Sequence, residues 1–187
     1  MASDNSLIEQ AIENYQLGDF NQAAQICHEL VKVDPNDYEA LHLLGIILHE
    51  AGLNTQAADI LKQALATSGQ QVSILHNYGL VLRAQGKFSA AAVVFRQIVA
   101  TVPTEISSWY NLGEVEFLED KFEDAVRAFE KVLEQDPDSL SARIKLGVAL
   151  RKMGCLEEAR NYFQDIIIID PKNVAAQNNI GIVETEL

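Results

Sequence analysis

Glycine stands at positions 45, 79, 113, 147 and 181, and again at 18, 52, 86 and 154. Alanine stands at 23, 57, 91, 125 and 159, and proline at 35, 103, 137 and 171. Each series advances by 34 residues, or by 68 where one member is missing. The remaining glycine, Gly69, takes a place where the proline series predicts Pro, so every Gly and every Pro of the chain falls on one lattice. A period of about 34 residues is the length of a two-helix unit stacked on copies of itself. One such unit cannot bury its apolar face alone, so each depends on its neighbours.

The clearest copy runs from Ser107 to Pro137. Trp109, Leu112, Gly113 and Glu116 to Phe117 recur at helical spacing, as do Phe122, Ala125, Phe129, Val132 and Leu133. Asp120 and Lys121 mark the break between these helices, and Asp136-Pro137 ends the second because Pro cannot continue a helix. Gly in the first helix and Ala in the second let the pair approach closely, which outweighs the roughly 1 kcal/mol that Gly costs inside a helix. Trp109, on the stripe with Leu112 and Gly113, is expected in the core between the two helices of its unit.

Trp109, Leu112, Gly113, Ala125, Phe129 and Pro137, with Leu44-Gly45, Ala57 and Leu61, with Gly79, Gly86, Ala91, Phe95 and Pro103, and with Leu146-Gly147, Gly154, Ala159, Phe163 and Pro171, resemble the tetratricopeptide repeat family. The resemblance covers the chain from about Leu7 onward. It implies an all-α fold, a right-handed α-solenoid superhelix of antiparallel helix pairs, that binds partner proteins and performs no chemistry of its own. Five units are expected at about 4–37, 38–71, 72–105, 106–139 and 140–173, with a partial sixth at 174–187, together one repeat domain. Turns are expected at Gly18, Gly52, Gly86, Asp120 and Gly154.

The ends of the array differ from its middle. Met1 to Asn5 is expected to be disordered, with Asp4, Asn5 or Ser6 capping a first helix from about Leu7 to Gln16. In that helix Gln10 and Ala11 stand where Leu-Gly stands later, giving a more polar outer face. The last helix instead carries Ile180, Ile182 and Val183, with no second helix after it. Either the chain is an excerpt of a longer protein or another copy covers this end, and such a patch favours a homodimer through the C-terminal helix.

The formal net charge of −13 argues against nucleic acid and against anionic membranes. The acid is concentrated in the first and fourth units, and a solvated acidic exterior accounts for much of it. Cys27 and Cys155 lie in different units and provide no disulfide framework, which fits a reducing compartment. With no signal-like or membrane-spanning stretch, a cytoplasmic location is expected. His42, His49 and His76 cluster in sequence, but the first two lie two helical turns apart, about 10 Å. No Cys or carboxylate completes a ligand set, and no cofactor, metal or catalytic constellation is expected.

In the family the first helices line a concave wall. At about 100° per residue, the face opposite Trp109, Leu112 and Gly113 holds Ser107, Asn111, Glu114 and Leu118, flanked by Tyr110 and Phe117. The corresponding faces hold Glu39, Leu43, Ile46 and Glu50; Ser73, Asn77, Leu80 and Ala84; and Ser141, Lys145, Val148 and Lys152. Asn77, Asn111 and Asn179 share one place, two residues before a Gly, with Lys145 between them. Each amide carries a donor and an acceptor and can grip a peptide backbone. This resembles the asparagine ladder of the O-linked N-acetylglucosamine transferase array, with Leu43 and Lys145 as departures. Arg83, Lys145, Arg151 and Lys152 form a basic patch suited to acidic side chains or a carboxylate, or are solvated and paired to neighbouring acid. The candidate peptide groove is therefore Asn77, Asn111, Tyr110, Phe117, Arg83, Lys145, Arg151, Lys152 and Asn179. The expected function is a non-enzymatic scaffold for a protein or peptide partner. Two alternatives are the recognition arm of a larger, glycosyltransferase-like enzyme and a self-assembling structural module.

Overall fold

The computed structural model describes the backbone of residues 2–187 and the side chains of residues 6–187. Eleven α-helices and no strand occur among the described residues. They are α1 (Ala2–Gln16), α2 (Phe20–Val33), α3 (Tyr38–Glu50), α4 (Asn54–Ser68), α5 (Val72–Ala84), α6 (Phe88–Thr101), α7 (Ile106–Leu118), α8 (Phe122–Gln135), α9 (Leu140–Lys152), α10 (Leu156–Ile169) and α11 (Val174–Glu186). First helices begin at Tyr38, Val72, Ile106, Leu140 and Val174, and second helices at Phe20, Asn54, Phe88, Phe122 and Leu156, both in steps of 34. The sequence lattice is thus a lattice of helix starts.

The opening differs from the sequence expectation. Met1 lies outside the described residues, but the backbone is already helical from Ala2, so Asp4, Asn5 and Ser6 sit inside α1 instead of capping it. Capping is present elsewhere. Asp19 accepts a hydrogen bond from Gln22 N at 3.0 Å, and Asp37 accepts from Glu39 N and Ala40 N, each at 3.1 Å. Asn173 caps α11 through Ala176 N at 3.0 Å. Each satisfies amides that a helix start leaves without partners.

The turns fall where expected. Gly18 has φ +82° between α1 and α2, and Asp120 takes the same left-handed conformation, φ +58°, between α7 and α8. Asp is one of the few side chains that tolerates this region, at a cost Gly does not incur.

The chain divides into two compact units, Met1–Val94 and Phe95–Leu187, the division falling within α6. In the first, Ile8, Ala11, Ile26, Cys27, Leu30, Leu43, Leu44 and Ile47 form a buried cluster. In the second, Phe129, Leu146, Leu150, Phe163, Ile166 and Val183 do so. The small residues sit where helices touch. A Cβ built on Gly113 would lie 2.7 Å from the Phe129 ring, and one on Gly147 would lie 2.7 Å from Phe163.

One core assignment changes. Trp109 is half-buried and does not fill the space between α7 and α8. Its Nε1 donates to the Pro103 carbonyl at 2.8 Å, six residues back. Arg143 and Gln177, one and two periods later, reach Pro137 and Pro171 in the same way, at 2.7 and 2.9 Å. The position clamps the preceding turn. Glu116, on the same recurring stripe, is only 1 % exposed, at a place where Leu48, Leu82 and Leu150 stand in other repeats.

Candidate functional site

The predicted wall assumed that first helices bury one face and show the other. In the structure first helices also touch one another side by side: α1 with α3, α3 with α5, and α9 with α11. Polar links about one period apart join first helices. Tyr15 Oη donates to Glu50 Oε1 at 2.5 Å, from α1 to α3. That bond, reinforced by burial and by the Glu50 charge, pushes the Tyr15 hydroxyl up to about 12. Asn77 Nδ2 donates to His42 Nε2 at 2.8 Å, which requires the imidazole tautomer carrying its proton on Nδ1. Burial holds His42 below its usual value, consistent with a neutral acceptor. Lys145 Nζ lies 2.9 Å from Glu114 Oε1, and Arg151 Nη1 lies 2.8 Å from Glu186 Oε1.

These links revise the sequence reading residue by residue. Lys145 and Arg151 are ion-paired, so they do not form a patch of uncommitted cations; Lys152 is exposed beside them. Asn111 is 9 % exposed and donates to the Ser107 carbonyl at 2.8 Å, which makes it part of the helix packing, not an open ladder rung. Asn179 donates to the Ala175 carbonyl at 2.8 Å in the same manner. Asn77 is engaged by His42. Leu43, placed on the wall by phase, is core at 7 % exposure. Tyr110 packs its ring edge-on to Phe129 at 5.7 Å, and Phe117 packs on Phe122 at 5.3 Å. Arg83, half-buried, and Asn77 belong to the first compact unit, and the other seven candidates belong to the second.

The apolar end of the array is also largely covered. Val183 is fully buried and Ile180 packs against the second core cluster, leaving Ile182 at 41 % exposure. Burial by α9 and α10 removes most of the patch from which pairing of two copies was expected.

What the structure does bring together is a cleft of about 370 Å³ where α7, α8 and α9 meet. Tyr110 and Asn111 line it with Ile106, Ser107, Val132 and Ser141. Ser139 stands at its edge, 3.2 Å from the Ser141 hydroxyl. Hydroxyl groups thus sit beside an aromatic ring and two aliphatic side chains. Ser107 and Ser141 were legible as wall residues. Val132 and Ser139, which lie on a second helix and before a first helix, were not, because phase along one helix says nothing of what a neighbour contributes. Among the described residues no group of three or more His, Cys, Asp or Glu could hold a metal ion, and no helix is long and apolar enough to cross a membrane.

Several solved structures share this architecture. A crystal structure of MamA superposes with TM-score 0.83 at 23% identity, covering 92% of this chain and 94% of that one. YrrB, described as a TPR protein with an unusual peptide-binding site, gives 0.84 at 19% identity over 92% and 89%. A tetratricopeptide repeat protein from Parabacteroides merdae gives 0.87 at 20% identity over 100% and 74%. No curated protein matches the chain by sequence. The family model for the tetratricopeptide repeat matches residues 14–77 and 116–179, most of the chain. With the helix starts in register every 34 residues, the chain belongs to the tetratricopeptide repeat family.

Proposed function

We propose that this chain is a non-enzymatic scaffold that binds a polypeptide segment of a partner, with the α7–α8–α9 cleft as its seat in the second compact unit. The observation that carries the reading is that cleft: about 370 Å³, lined by Tyr110, Asn111, Ser107 and Ser141 beside Ile106 and Val132. The volume suits one apolar side chain of an extended segment, with the serine hydroxyls meeting polar groups of its backbone. Each such hydrogen bond contributes about 0.5–1.5 kcal/mol net, so several contacts are needed for useful affinity. The Lys145–Glu114 pair supplies both charges on the neighbouring helices and favours a segment of mixed charge. YrrB, which shares the fold, carries a peptide-binding site by its own description.

The test is selection of peptides from a random displayed library against the whole chain, followed by binding to a Ser141→Lys variant. Ser141 is exposed, so the substitution fills the cleft without touching the core. Selected peptides are expected to bind the parent and lose affinity by about tenfold or more for the variant. Equal binding would move the working surface elsewhere.

A further inference from the structure

Glu116 presents a problem that the repeat alone does not explain. A carboxylate at a leucine position incurs a desolvation penalty, and a buried ion pair offsets it only when all its lone pairs are satisfied. Here one oxygen, Oε1, is bonded to Arg96, while Oε2 is buried with no hydrogen-bond partner. Lys121 Nζ lies 3.9 Å from Oε2, beyond hydrogen-bond reach, and is already 2.6 Å from Glu119. Glu116 also lines a cleft of about 310 Å³ with Arg96, Trp109, Leu112, Asp124 and Arg127. This cleft shares no lining residue with the one assigned above.

We propose that this second cleft is a docking site for an arginine side chain of a partner polypeptide, with Glu116 as its acceptor. Rotation about the terminal carboxylate torsion, which is broad in energy, turns Oε2 toward the incoming guanidinium. The planar cation stacks on the Trp109 indole while its stem lies along Leu112. Arg96 and Arg127 at the rim are already neutralised by Glu116 and Asp124, so the entering charge does not meet two uncompensated cations. Residues 106–139 carry ten Asp or Glu against three Lys or Arg, so the surrounding field attracts a cation. A guanidinium suits this place better than an ammonium because it is weakly hydrated and bonds a carboxylate edge-on.

Trp109 is the only Trp in the chain and stands in the cleft, so its fluorescence reads occupancy directly. The probes are N-acetyl-arginine amide and its neutral isostere N-acetyl-citrulline amide, titrated into the intact chain. The first is expected to give a saturable change with a millimolar Kd, and the second to bind at least about tenfold more weakly. Glu116→Leu restores the residue of the neighbouring repeats and so keeps the fold, which a circular dichroism melt verifies. It is expected to abolish the arginine response, while Ser141→Lys leaves it unchanged; loss in Ser141→Lys would overturn the separation of the two sites. An unchanged response in Glu116→Leu, equal binding of citrulline, or no response in the parent would each overturn the proposal.

Discussion

Replacing Gly113 by Ala tests the packing on which the repeat depends. In a solvated helix this change is favourable by about 1 kcal/mol, since Gly has the larger backbone entropy to lose. In α7 the new Cβ meets three atoms of the Phe129 ring, at 2.7, 2.8 and 2.9 Å, all closer than real Cβ contacts allow. The ring cannot simply withdraw, because it is fully buried with Tyr110 edge-on against it. Overpacking of this kind costs about 1–3 kcal/mol, and three simultaneous contacts place it in the upper part of that range. The net expectation is a loss of about 1–2 kcal/mol. Gly181 is the internal control: it occupies the same lattice place in α11, yet a Cβ there meets nothing within 4 Å. Gly181→Ala should gain up to about 1 kcal/mol. Urea unfolding followed by Trp109 fluorescence and far-ultraviolet circular dichroism measures both variants. A Gly113→Ala protein as stable as Gly181→Ala would refute the argument that Gly113 is needed to admit the facing ring.

Glu116→Leu is expected to raise stability at neutral pH by about 1–3 kcal/mol, because it removes a buried charge and leaves Arg96, which is half exposed, to water. Burial raises the Glu116 pKa against the pull of Arg96 and Lys121, so the parent's deficit is absent in acid and opens as pH rises through the carboxylate range; melts across that range measure it. Asp120→Gly relieves a left-handed backbone and should stabilise the chain by about 1 kcal/mol in the same urea assay. Burial, with the Asp37 charge adding to it, pushes the Cys27 thiol up to about 12, whereas Cys155 is only half-buried. Alkylation at neutral pH followed by mass spectrometry should therefore mark Cys155 first and Cys27 only on unfolding.

The fold was legible because its constraints are local and repeated. Gly45 must be small for Leu61, Gly113 for Phe129 and Gly147 for Phe163, at one lattice place, and the helix starts recur every 34 residues. The site was less legible because its geometry depends on neighbouring helices. Assigning the wall as the face opposite the core stripe treats a first helix as packed on one side. Side-by-side contact with α1 and α5 widens the buried stripe of α3, which draws in Leu43, and Asn111 is also buried at 9 % exposure on α7. The links Tyr15–Glu50, His42–Asn77 and Arg151–Glu186 join residues 35 apart, and Lys145–Glu114 joins residues 31 apart. Comparing like with like at a period of 34 passes over them. Glu116 did carry a signal in sequence, a carboxylate on a leucine lattice, but only its burial shows that the exception is not a turn toward solvent.

The most direct test of the binding assignment is amide and side-chain chemical-shift mapping of the whole chain with an arginine-free peptide selected from a library. The account predicts that saturation shifts Ser107, Tyr110, Asn111, Ser139 and Ser141 together, leaving Arg96, Trp109 and Arg127 in place. Shifts confined to the outer residues of α6 and α8, with the α7–α9 cleft silent, would contradict it.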